Sequence, residues 1–144
     1  MNQAVIFDLD GTLINIDGIT HLFGEWEEFA DATMLCPPIE NMIKFARLCQ
    51  KFADLWVVTA KPIRLRERTV NWLSVNGIHP DLMLMRPSHN FLSSPDLKLT
   101  LLDDYFGMAH WKQQVLFAVE DRDKMVDAWR RAGITCLQCA PSLY

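Results

Sequence analysis

Short runs dominated by apolar residues alternate along this chain with longer stretches in which apolar residues recur every third or fourth position. The runs Ala4-Val5-Ile6-Phe7, Leu55-Trp56-Val57-Val58, Leu82 to Met85, Val115 to Val119 and Ile134 to Gln138 have the length of strands. They lack regular polar alternation, which predicts strands buried on both faces. Between them the spacing predicts a short helix around Glu25–Asp31 and one opened by Pro37-Pro38 that runs to about Phe52. Further helices are expected from about Pro62 to Val75, closed by Asn76-Gly77, from Pro95 to about Tyr105, and from about Arg122 to Ala132, stopped by Gly133. Proline just inside a helix start and glycine just past its end fit the geometry of helix termini. Strands alternating with helices predict an α/β class: a three-layer, Rossmann-like arrangement with a central parallel sheet covered on both faces. Ligands of such sheets bind beyond the carboxyl ends of the strands.

The polar residues that matter stand at those ends. The first strand runs into Asp8-Leu9-Asp10-Gly11-Thr12, the second into Thr59 and the fourth into Glu120-Asp121; Lys98 lies near the start of the helix before the fourth strand. Carboxylates from two strand ends can hold a hard cation such as magnesium, which takes a few carboxylates and keeps room for waters and phosphate oxygens. A hydroxyl and a lysine complete a phosphate cradle. The plainer readings are that Thr59 caps the following helix and that Lys98 is an exposed helix charge.

In the order and placement of these residues the chain resembles the haloacid dehalogenase (HAD) superfamily of phosphatases. Asp8-Leu9-Asp10-Gly11-Thr12 corresponds to its first motif, Thr59 to the second, Lys98 to the third and Glu120-Asp121 to the fourth. The resemblance implies that Asp8 is the nucleophile of a covalent aspartyl-phosphate route. It also implies a Mg2+ ion held by Asp8, the Asp10 backbone carbonyl and Asp121, with Glu120 outside the direct ligands. Asp10 would be the general acid and base, oriented by Thr12. Thr59 and Lys98 would bind the equatorial phosphoryl oxygens. About two dozen residues separate Thr12 from the Pro37 helix, too few for a cap of domain size, so an open site is expected.

A narrower resemblance runs from Ala4 to about Gln138. Arg66 to Arg86, with Thr69, Trp72-Leu73 and Leu84-Met85-Arg86, is similar to the phosphatase domain of bacteriophage-type polynucleotide kinase–phosphatases. So is Glu120-Asp121-Arg122 with Val126, Trp129-Arg130-Arg131, Gly133, Cys136 and Gln138. That family removes 3′-phosphates from nucleic-acid ends and nucleotides, which implies a phosphorylated substrate of that kind as partner. Two positions depart from its pattern. Ala60-Lys61 replaces a glycine-arginine, keeping the charge but losing guanidinium geometry, and Asn90-Phe91-Leu92 replaces an Asp-x-Arg. No G-x-x-x-x-G-K-[ST] is present, so no kinase half is expected in this chain. Lys61, Arg64 and Arg68 fall at spacings that share a helix face, with Arg86 and Arg122 as further substrate-steering candidates. The alternative is a solvated face balanced by Glu67. Trp72 and Trp129 could serve as base-stacking platforms, but packing against the sheet is the commoner use of such residues.

Composition narrows the picture further. With 144 residues the chain is expected to form one domain over 1–144; half of it is hydrophobic and its formal charge is −4, which excludes a strongly basic nucleic-acid grip. No apolar run approaches the roughly 20 residues of a membrane span, and Asp8 and Asp10 interrupt the only N-terminal apolar run. A cytoplasmic location is expected, with Cys36, Cys49, Cys136 and Cys139 as free thiols. Two other functions remain open: a broad small-molecule or 5′-nucleotide phosphatase, and a phospho-accepting or catalytically silent binding module. Retention of Asp10 favours an enzyme, because turnover needs an acid and base beside the nucleophile.

Overall fold

The computed structural model describes residues 2–144. Five strands, β1 (Ala4–Phe7), β2 (Asp54–Pro62), β3 (Leu82–Arg86), β4 (Val115–Glu120) and β5 (Cys136–Gln138), form one sheet in the order β3-β2-β1-β4-β5. Every neighbouring pair is parallel. Parallel pairing requires a crossover between successive strands. The helices α1 (Trp26–Thr33), α2 (Glu40–Cys49), α3 (Arg66–Val75), α4 (Ser94–Phe106) and α5 (Asp123–Arg131) lie in those crossovers.

The two-residue period of a strand sorts its side chains between two cores. Val5 and Phe7 of β1, Val57 of β2 and Val119 of β4 pack with Phe29, Ile43 and Leu73 of α1, α2 and α3. Ala4 and Ile6, Val58 and Ala118 pack on the other face with Leu102 of α4, Trp111, and Val126 and Trp129 of α5. All four residues of β1 are buried, as its uninterrupted apolar run requires. The architecture is the three-layer α/β fold expected of the sequence. Residues 8–39, between β1 and α2, hold a 3-10 turn (Asp17–Leu22) and the short α1 in place of a large cap. No helix among the described residues is long and apolar enough to cross a membrane.

Several boundaries differ from expectation: α2 ends at Cys49 rather than near Phe52 and β5 starts at Cys136 rather than Ile134, and two further shifts lie at prolines. The second strand does not end at Thr59 but continues to Pro62, and a 3-10 turn (Ile63–Leu65) precedes α3. The proline ring disfavours helical backbone at the residue before it, which keeps Lys61 extended. Likewise α2 starts at Glu40, because residues 37–39 are extended against the turn that follows β1. Asn15 N–H donates to the Pro37 carbonyl at 2.8 Å and Ile39 N–H to the Leu13 carbonyl at 2.8 Å.

The chain builds outward from β1 through β2 to β3, then crosses back to place β4 on the other flank of β1. That reversal opens a crevice at the carboxyl ends of β1 and β4.

Candidate active site

Asp8 follows directly on β1, and its N–H still donates to Val119 of β4 at 3.2 Å. Beyond it the chain folds into a tight turn in which the Leu9 carbonyl accepts from the N–H groups of Thr12, Leu13 and Ile14 at 3.1, 2.8 and 2.9 Å. Gly11 makes that turn with φ +83, a conformation that favours glycine. A Cβ there would stand 2.1 Å from Asp121 Oδ2, so the bare glycine also lets the turn press onto the acid at the end of β4. One oxygen from each of Asp8, Glu120 and Asp121 lies within 4.8 Å of the others, and all three residues are buried.

Lys98 enters this cluster from the first turns of α4. Its Nζ donates to Asp8 Oδ1 at 2.8 Å and to Glu120 Oε2 at 2.6 Å, and Trp129 Nε1 donates to the same Glu120 oxygen at 3.3 Å. Lys98 is buried, so it is no exposed helix charge. Burial works against its ammonium, yet Asp8 and Glu120 outweigh that and hold it charged. Burial would likewise raise Asp8, but the charge and hydrogen bond of Lys98 prevail and keep its carboxyl below the usual range. One lysine cannot serve three buried acids. Burial and the nearby Asp8 push Glu120 well above its ordinary value and Asp121 up to about 7. Glu120 Oε1 is buried without a hydrogen bond.

Asp10 has a different partner. Lys61, in β2, is buried and places its Nζ 3.0 Å from Asp10 Oδ1 and 3.3 Å from Oδ2; it also donates to Thr33 Oγ1 at the end of α1. Asp10 Oδ1 makes no hydrogen bond of good geometry despite that short approach. Burial raises the Asp10 carboxyl, Lys61 opposes the rise, and Asp8 adds to it; the outcome is a raised value. Thr12 was expected to orient Asp10 but turns the other way, donating to Asp121 Oδ1 at 3.3 Å and reaching Asp8 Oδ2 at 3.5 Å. Thr59 is buried in β2, two residues beyond the partner of Phe7, and its Oγ1 accepts from Lys61 N–H at 3.1 Å. It caps no helix.

The basic face expected of Lys61, Arg64 and Arg68 does not form, because Lys61 is a strand residue turned into the protein. Arg64 spans to α1, pairing with Glu27 and Asp31 at 2.7 Å each, and of the three only Arg68 stays exposed without an ion pair among the described residues. Arg86 is spent on the loop after β3, donating to the carbonyls of Ala60, Asn90 and Leu92 at 3.1, 3.1 and 2.8 Å. Arg122 remains beside the site, 3.4 Å from Ser94 Oγ and 4.2 Å from the Tyr144 ring centroid. Trp129 and Trp72 pack rather than present open faces; the Trp72 indole N–H donates to the Cys36 carbonyl at 3.1 Å. All four cysteines are free thiols. Thr33 and Tyr144 carry no signal in the sequence, since nothing in their local pattern shows that the fold brings them to Lys61 and Arg122.

The donor set suits a hard divalent cation. Its members are oxygens only, from three carboxylates with one lysine between them, and a cation would offset the burial and the repulsion from Asp8 that raise Glu120 and Asp121.

No curated protein matches the chain. Among solved structures, one of a Pnkp1/Rnl/Hen1 complex has a chain that aligns with a TM-score of 0.83 and 24% identity over 100% of this chain and 48% of its own. This chain thus spans about half the length of that relative. A haloacid dehalogenase-like hydrolase from Streptococcus pneumoniae aligns at 0.63 with 14% identity, covering 95% and 84%. A HAD family enzyme from Bacteroides thetaiotaomicron, in complex with magnesium and inorganic phosphate, aligns at 0.57 with 10% identity, covering 96% and 94%. At these identities the structures establish the fold. The family described as polynucleotide kinase PNKP phosphatase domain matches residues 2–144, so the chain belongs to that family and is a HAD-type phosphatase.

Proposed function

We propose that this chain is a magnesium-dependent phosphomonoesterase that removes phosphate from nucleic-acid 3′-ends or nucleotides through an aspartyl-phosphate on Asp8. The observation that carries the chemistry is the opposite treatment of two acids two residues apart. Lys98, 2.8 Å from Asp8, holds that carboxyl below its ordinary value, the direction that suits a nucleophile, while burial raises Asp10 despite Lys61 at 3.0 Å, the direction that suits a general acid. Asp8, Asp121 and the Asp10 carbonyl would hold the ion, which supplies charge neutralisation for the anionic phosphate when bound.

In the first step an Asp8 carboxylate oxygen forms a bond to phosphorus. The bond from phosphorus to the leaving oxygen breaks, and Asp10 gives that oxygen its proton. In the second, water attacks the phosphorus, Asp10 takes the water's proton, and the Asp8–phosphorus linkage opens to release inorganic phosphate. Lys98 and Thr59 bind the equatorial oxygens. Lys61 keeps the Asp10 carboxyl in place between the two steps.

The substrate class rests on the family and on the Pnkp1/Rnl/Hen1 relatives, one described as an RNA repair complex. The pairing of Arg64 with α1 and the net charge of −4 speak for a short end or a single nucleotide rather than a long polyanion track. The test is phosphate release with magnesium from 3′-phosphorylated oligonucleotides, 3′- and 5′-nucleotides and sugar phosphates at matched concentrations. The 3′-phosphates are expected to lead. Faster turnover of sugar phosphates or 5′-nucleotides would assign the chain to small-molecule work, and a stable phosphoenzyme without release would make it a phospho-accepting module.

A further inference from the structure

Tryptophan is unevenly placed in this protein. Trp111 and Trp129 are 0% exposed and Trp56 is 4% exposed, whereas Trp26 is 52% exposed. It opens α1, and its ring lies 5.6 Å from Phe29, 5.9 Å from Tyr144 and 6.1 Å from Phe23, centroid to centroid. Phe23 and Tyr144 are closer still, at 4.5 Å with an interplanar angle of 33°. The Arg122 guanidinium sits over Tyr144 at 4.2 Å.

This pile of rings leads to the reacting acids. Arg122 follows Asp121 directly in the chain. Arg122 holds Tyr144 at two points, with its guanidinium over the ring and its Nε donating to the Tyr144 carbonyl at 3.4 Å, so the ring is fixed beside the residue that follows Asp121. The other end of α1 is tied to Asp10 through Thr33 and Lys61. The cluster leaves its largest ring half exposed, whereas Trp111 and Trp129 are wholly buried in the core between the sheet, α4 and α5.

We propose that the exposed face of Trp26, backed by Phe23 and Tyr144, stacks on the nucleobase of the nucleotide that loses its phosphate. The proposal rests on the nucleotide reading above and names the surface that recognises it. A base is the fitting occupant because it offers a flat π-face whatever its sequence, and a guanidinium already lies in the stack. The site takes one base, not a run of them. Glu25 precedes Trp26 and forms no ion pair among the described residues, so a phosphate chain continuing past the ring on that side meets uncompensated negative charge.

The experiment compares Trp26→Ala, Trp26→Phe and the parent protein on a 3′-nucleoside monophosphate and on glycerol phosphate, which has no ring. Trp26→Ala is expected to raise KM for the nucleotide about tenfold, the loss of one base–aromatic stack. Neither kcat nor the glycerol phosphate KM should move, and Trp26→Phe should recover most of the loss. An unchanged nucleotide KM, or an equal rise for both substrates, overturns the proposal. If the parent protein does not hydrolyse the nucleotide at all, the substrate reading has failed, and titration with a 3′-hydroxyl dinucleotide decides the stack separately. Saturable binding abolished by Trp26→Ala supports it, and no binding to the parent protein sinks it.

Discussion

Two lysines, both buried, each hold one acid of the same motif, yet those acids are shifted in opposite directions. Lys98 reaches Asp8 from α4 and shares itself only with Glu120; Lys61 reaches Asp10 from β2 and shares itself with Thr33. Asp8 falls below the usual carboxylate range and Asp10 rises above it. Distance does not make the difference, since the nearest contacts are 2.8 and 3.0 Å. For Asp8 the lysine outweighs desolvation. For Asp10, desolvation and the neighbouring Asp8 outweigh the lysine. Two identical side chains are therefore shifted in opposite directions by the balance of burial and charge around each.

The comparison can be broken most severely at the acids themselves. Asp8→Asn should lower turnover by at least about 10⁴-fold, because the amide cannot form the phosphoenzyme. Asp10→Asn should still form one from p-nitrophenyl phosphate, whose leaving group needs no proton, and then release phosphate slowly. Quenched-flow trapping distinguishes the two, and phosphoenzyme in Asp8→Asn would remove its nucleophile role. Next comes the Lys61 side. Lys61→Met should cost about 10²-fold in kcat on alkyl phosphates and markedly less on p-nitrophenyl phosphate, since general-acid help matters only for the poorer leaving group. Equal losses on both would detach Lys61 from the Asp10 proton.

A thermal measurement sharpens the electrostatic half. Asp121, raised from 3.8 to about 7, keeps its proton in the fold after the unfolded chain has released it. Its stabilising share is full below about pH 4 and is lost as pH rises through 7. Without metal, melting temperature should decline across that window, and magnesium should raise it more at pH 8 than at pH 5. A ligand at 100 times its Kd stabilises by about 2.7 kcal/mol, so the shift is readily measured. The smallest effect belongs to Arg64→Ala. Its pairs with Glu27 and Asp31 are exposed, and chemical denaturation should show a loss below about 1 kcal/mol.

The alternation of apolar runs and helical spacings determined the strands, the parallel α/β class and the carboxyl-end location of the acids. β1 is legible because burial on both faces demands four apolar residues in a row, and Asp8-Leu9-Asp10-Gly11-Thr12 because a tight glycine turn follows it at once. These are local constraints, written within a few residues of where they act. Pairings across the fold are not written that way. Lys61 read as a helix-face charge, yet Pro62 keeps it extended and tertiary packing turns it onto Asp10. Arg64 read as substrate-facing, yet it meets two acids of α1 that lie more than thirty residues earlier. Nothing in the sequence marks Trp26 as exposed or Trp129 as buried, because one-dimensional spacing says which residues share a helix face but not which face the rest of the chain will cover. Only the three-dimensional packing decided that, since burial is a property of what arrives from elsewhere in the sequence.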